Sequence, residues 1–155
     1  MMNRMPKQPA CDHPSLDEFV GYNLKRAYMI FQADFREALG KDGLSPRSYS
    51  ALSLAVQNAN ITQSELARRL GIERSGLVAI VDQLEEAGLL CRVGVPGDRR
   101  VQALTPTQEG LALFARASKQ VATHEDRLTS VLSDGERDQL LTLLRKLRNS
   151  SEAQE

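Results

Sequence analysis

The sequence predicts a mainly α fold in which a winged helix-turn-helix lobe is flanked by a helical dimerisation layer built from the N- and C-terminal helices. Three observations predict it. Between Thr62 and Gly88, two short stretches of helical apolar spacing are separated by Gly71. After Gly88 the apolar spacing shortens on both sides of a Pro-Gly-Asp turn signal, and both ends of the chain carry long runs of helical periodicity.

The length of 155 residues, with 41% apolar and 26% charged side chains, fits a single globular domain able to bury a core without metals or disulfides. No apolar run reaches the roughly 18 residues of a membrane span. The first 14 residues lack the apolar middle of a secretory signal, so a cytoplasmic location is expected. The formal net charge of zero argues against a generic polycation, though not against arginines gathered on one surface. Residues 62–100 hold six Arg against six acidic residues, so a DNA-facing surface depends on spatial arrangement. Cys11 and Cys91 are too few and too separated for a disulfide framework or a zinc site, and no metal or cofactor is expected. Neither His13 nor His124 sits in a ligand spacing or a nucleophile and base pattern, so no enzyme is expected.

Residues 1–15, with three prolines, form a flexible arm in this reading. From Leu16 the apolar positions 16, 20, 24, 27, 31, 35 and 38 give a long helix with Asp17 and Glu18 at its positive end. Residues 16–44 are assigned to dimerisation, because the helix is longer than its neighbours need. The lobe spans 45–107. Ser45 and Pro46 are the cap and first turn of a helix over about 46–58, closed by Asn-Ala-Asn at 58–60.

Thr62 and Glu65 form a capping-box pattern, Leu66, Ala67 and Leu70 make an apolar stripe, and Gly71 ends that helix. The next begins at Glu73 or Arg74 and keeps Leu77, Ile80, Val81 and Leu84 on one face. The opposite face offers Arg74, Ser75, Gly76 and Ala79, and a second helix of this kind enters the DNA major groove. Gly76 would allow close approach to the DNA backbone.

Leu89, Cys91 and Val93 before the turn, and Val101 to Leu104 after it, predict a two-stranded wing. Arg99 and Arg100 at its tip suit the minor groove, with Asp98 pairing to Arg100 to hold the loop. Residues 108–150 supply two further dimerisation helices, one over about 109–131 and one striped by Leu140, Leu143, Leu144 and Leu147. Packed within one chain, the three terminal helices would leave a broad apolar surface, which a second copy would cover.

These residues resemble the MarR family of bacterial transcriptional regulators over nearly the whole chain, from about Leu16 to Leu147. The likeness rests on Thr-Gln-Ser-Glu-Leu-Ala at 62–67, Leu-Gly-Ile at 70–72, Arg-Ser at 74–75, Leu-Glu-Glu-Ala-Gly-Leu at 84–89 and Asp-Arg-Arg at 98–100, with Thr107 and Gly110. It implies a triangular homodimer on double-stranded DNA, acting as a ligand-responsive regulator, and the wing Asp and Arg of the family match Asp98 and Arg100. The family's Leu-Thr falls at 104–105, two positions early, with Pro106 in the Leu position, which leaves the end of the second wing strand open. On this reading Thr62, Gln63, Ser64 and Arg68 are expected at phosphates, Arg74 and Ser75 near base edges, and Gly76 against the DNA backbone. The resemblance also implies a small aromatic or phenolic effector, or its acyl-CoA thioester, between the dimer layer and the DNA lobe. Tyr22, Arg26, Tyr28 and Tyr49 are the candidate contacts. Two alternatives stand beside this reading: a thiol sensor working through Cys11 or Cys91, and a winged-helix module that binds protein partners without DNA.

Overall fold

The computed structural model describes residues 14–95 and 98–152, with side chains described for neither 98–101 nor 151–152. The arm to His13, the wing turn at Pro96 and Gly97, and the side chains of Asp98, Arg99 and Arg100 lie outside the described residues. The elements run α1 (Val20–Gly40), α2 (Pro46–Gln57), β1 (Ile61–Thr62), α3 (Gln63–Leu70), α4 (Arg74–Glu86), β2 (Leu90–Val95), β3 (Asp98–Pro106), α5 (Gln108–Thr129) and α6 (Asp134–Glu152).

The first helix starts later than its apolar period. Ser15 and Glu18 satisfy each other's backbone N–H groups in a capping box, which closes Leu16–Glu18 into one tight 3-10 turn. Phe19 is extended, and α1 begins behind it. Ser45 accepts from the Ser48 amide at 3.0 Å, and Pro46 opens α2 where its missing N–H costs nothing. At the other end Asn58 donates to the Leu54 carbonyl, and Asn60 takes the left-handed φ of 60° that turns the chain into β1.

The wing is a three-stranded antiparallel sheet in the order β1-β3-β2, where the sequence suggested two strands. Ile61 pairs with Leu104 and Thr62 with Ala103, so the entry to α3 is tied to the wing. A register shift at Gly94/Val95 marks an irregularity near the tip. β3 runs to Pro106, opposite Leu90, which fixes the strand end that the sequence left open.

Thr107 then does two things: its Oγ1 donates to the Gly88 carbonyl at 2.6 Å and accepts from the Gly110 amide at 3.0 Å. One hydroxyl therefore caps α5 and ties it to the end of α4. Replacing Thr107 with Val should lower stability by about 1–2 kcal/mol, the worth of a lost cap plus one hydrogen bond, read as a shift in the urea midpoint with unchanged slope.

The core lies in the lobe. Leu39, Leu52, Leu66, Leu77, Val81, Leu84, Leu90 and Leu104 are its largest fully buried side chains. α1 reaches it through its C-terminal half, with Leu39 buried and Phe35 packed against it, and α6 buries none of its described residues. The helical layer thus leaves Val20, Leu24, Met29 and Ile30 on α1 and Leu140, Leu141, Leu143, Leu144 and Leu147 on α6 exposed. Ser133 and Glu136 form a capping box at the start of α6, and the two hydrogen bonds from Ser133 hold the Glu136 carboxyl below the usual range. Arg137 donates to Asp126 at 3.0 Å, joining α6 to α5. Among the described residues no helix is long and apolar enough to cross a membrane.

Candidate nucleic-acid interface and effector cavity

α3 and α4 meet through the turn at Gly71, whose φ of 63° closes the helix with hydrogen bonds to Ala67 and Arg68 carbonyls. A β-carbon would be strained there, which is why glycine occupies the turn. The buried stripe of α4 is Leu77, Ile80, Val81 and Leu84. Its outer face presents Arg74, Ser75, Gly76, Val78 and Ala79 to solvent. No atom lies within 4 Å of a β-carbon placed on Gly76, so this glycine answers no crowding inside the chain. Glu73 caps α4 without a side-chain hydrogen bond.

On α3, Ser64 and Arg68 are exposed and Gln63 is half-buried at the first turn. The Thr62 hydroxyl accepts from the Glu65 amide at 3.2 Å, so half of the expected capping box forms. The Glu65 carboxylate turns instead to Arg68, with contacts of 3.1 and 2.8 Å, and to Arg69 at 2.7 Å. Arg69 also donates to Asn58 at 2.9 Å. Hydrogen bonds from Arg68, then from Arg69, lower the Glu65 pKa to about 2. The carboxylate therefore stays ionised near neutral pH, and its stabilising contribution declines as pH falls below the ordinary value of 4.5 and is lost as pH falls through about 2. Two guanidiniums against one carboxylate leave a net positive charge on this exposed helix face.

The wing is aimed by an ion-pair network that sequence reading missed. Arg92 on β2 donates to Asp82 and Glu85 on α4, and the Arg92 amide reaches Glu85 at 3.3 Å. The hydrogen bond that Arg92 donates to Asp82, together with the charge of Glu85, raises the Arg92 pKa further. Arg92 is thus committed to joining the wing to the recognition helix. Asp82 and Glu85 are three residues apart on α4, the spacing that puts two side chains on one helix face.

A second feature lies between the helical layer and the lobe. Residues from α1, α2 and α5, with Leu70 and Ile72 from the α3–α4 turn, enclose a cavity of about 310 Å³. Tyr28, Phe31 and Phe35 provide aromatic wall, Arg47 is exposed on α2, and His124 on α5 is the most buried lining residue, 4% exposed. Of the four candidate ligand contacts, Tyr28 lines this cavity. Tyr22 and Arg26, further toward the start of α1, do not. Tyr49 stands behind the wall, its hydroxyl 3.2 Å from that of Ser118 and its ring against Phe35 and Phe114 at 5.7 and 5.8 Å. His124, which sits in no ligand or nucleophile-and-base spacing in the sequence, finds its partner, Asp34, 90 residues away. Cys91 is half-buried on β2 with its thiol 3.4 Å from the Thr105 carbonyl, and Cys11 lies outside the described residues.

Comparison with known proteins agrees with this geometry. A family model described as the MarR family matches residues 42–101. A curated relative from Thauera aromatica, described as a regulatory protein for the hcr operon, is 34% identical over 142 residues, covering 90% of this chain and 86% of that protein. Among solved structures, the transcriptional repressor CouR bound to a 23-mer DNA duplex is 43% identical, with a TM-score of 0.82 over 86% of this chain and 94% of that one. CouR from Rhodococcus jostii RHA1 bound to p-coumaroyl-CoA is 32% identical, with a TM-score of 0.80 over 87% and 95%.

Proposed function

The chain belongs to the MarR family, which makes it a winged helix-turn-helix transcriptional regulator rather than an enzyme, and on that premise we propose a homodimeric repressor released from DNA by an aromatic or phenolic effector or its CoA thioester. The observation that carries the reading is the exposed apolar face of α1 and α6 next to a lobe whose core is closed with Leu39, Leu113 and Ala117 and takes nothing from that face. A second copy covers that face and sets two α4 helices about 34–36 Å apart, one DNA turn, on a near-palindromic operator. The solved relatives on a duplex and with an aromatic thioester support the two ligand classes.

In this mechanism Thr62, Gln63, Ser64 and Arg68 hold phosphates at the start of α3, and Arg74 and Ser75 approach base edges. Gly76 lets α4 sit close to the backbone, and Arg99 and Arg100, supported by Asp98, occupy the minor groove. Tyr28 forms part of the effector site and Tyr49 acts through Phe35, whereas Tyr22 and Arg26 stand outside the cavity lining. Effector in the cavity wedges the helical layer against the α3–α4 turn, favouring a dimer whose lobe spacing no longer fits successive grooves. Only differential affinity for the two shapes produces that shift.

The test is a gel-shift titration on duplexes from upstream of the protein's own gene, with and without aromatic acids and their CoA thioesters. A retarded complex dissolved by one of them is expected, whereas no retardation of any such duplex would favour a protein-interaction module. Replacing Arg99 and Arg100 with Ala should leave the dimer intact, weaken operator binding at least about tenfold and, with four cations removed per dimer, reduce the salt slope by up to about four. Unchanged affinity at fixed salt would contradict the wing assignment.

A further inference from the structure

The deep end of the cavity carries a buried titratable group that DNA binding does not use. The His124 ring is stacked on Phe35 with centroids 5.4 Å apart and meets Phe31 edge-on at 6.0 Å. Its Nδ1 engages one oxygen of the Asp34 carboxylate, while Arg127 engages the other. Asp34 is itself mostly buried, so the carboxylate is held from both sides and fixes the ring. No hydrogen bond to Nε2 is found among the described residues, although the residue is 4% exposed and lines the cavity. Among the described residues the fully buried side-chain atoms without a partner are Asp42 Oδ2 and Gln120 Oε1, so Nε2 is not sealed off and a partner has room to reach it.

We propose that His124, positioned by Asp34 and Arg127, selects the effector by a phenolic hydroxyl. This inference rests on the effector reading above and names the chemistry of its site. With Nδ1–H donating to Asp34, the neutral imidazole presents Nε2 as an acceptor, and a phenol O–H donates to it. With the ring protonated, Nε2–H donates to a phenolate. Either placement of the shared proton gives one hydrogen bond between the same two heavy atoms. A ring bearing hydrogen instead of hydroxyl leaves Nε2 unpartnered, and a methyl ether brings bulk without a proton to donate. Phe31 and Phe35 hold the aromatic body, and Arg47, an exposed residue of the cavity lining, offers a cation to a carboxylate or phosphate.

The experiment is calorimetric titration of the full-length protein with matched thioesters: p-coumaroyl-CoA, cinnamoyl-CoA and 4-methoxycinnamoyl-CoA, and the corresponding benzoyl series. The phenolic member of at least one series should bind about 10- to 100-fold more tightly than its two partners, the worth of a hydrogen bond plus the cost of leaving one unmade. In His124→Phe, which keeps the ring stack, that preference should fall to within about threefold. Asp34→Asn should reduce it too, and serves if the first variant does not fold. Equal affinity of the wild type across each series would overturn the role of His124 while leaving the effector reading standing. Absence of binding by every thioester and every parent acid would overturn both.

Discussion

Replacing Leu143 and Leu147 together with Glu is expected to convert a dimer into folded monomers and to weaken operator binding by at least about 100-fold. Both side chains are about half exposed on α6, a helix with no buried residue among those described. In a lone protein, such surface exchanges would change stability by no more than about 0.5 kcal/mol. At a two-fold interface each leucine instead loses about 1.5–3 kcal/mol of burial, and symmetry doubles the loss. Four carboxylates would also face one another in an apolar seam. The lobe keeps its core, so circular dichroism should change little while sedimentation reports the smaller species. A double variant that remains dimeric and binds DNA as before would move the interface away from α6.

The second large effect is on the lobe itself. A β-carbon on Gly110 would stand 2.0 Å from the Leu89 carbonyl oxygen and 3.0 Å from its carbon, both backbone atoms. Neither can swing aside as a flexible side chain could. Gly110→Ala should therefore cost about 3 kcal/mol, the upper end of overpacking effects, because the first turn of α5 must lift off the β2 entry. Gly135→Ala is the matched control: it has open space around it, and the change should fall within about 1 kcal/mol. Since Leu89 also accepts from the Thr107 amide at 3.1 Å, the damage should spread to the wing and show as faster amide exchange along β2. Equal urea midpoints for the two variants would contradict this account of the α5–wing seam.

Local chemistry made much of this fold legible from sequence. The Ser45-Pro46 cap, the Gly71 turn and the apolar stripe of α4 each state their structure within a few residues, and the structure has them at those positions. Harder features depended on long-range partners. β1 is two residues long and exists because Ile61 and Thr62 find Leu104 and Ala103 across the lobe. The Glu65 side chain left its capping box because Arg68 and Arg69 offered charged partners that a neutral backbone amide could not match. The period of the first helix continued through Phe19, but a local capping box at Ser15 won over it. At the candidate effector site the gap was wider. Tyrosines drew attention on α1, whereas the buried polar group there is His124, whose meaning depends on Asp34 on a different helix.

The central claim is that two copies act on one duplex. Sedimentation equilibrium of the protein alone, and of the protein saturating an operator duplex, measures it directly. The account predicts a particle of twice the chain mass in the first case and two chains per duplex in the second. A folded single chain at working concentration, or one chain per duplex at saturation, would contradict it.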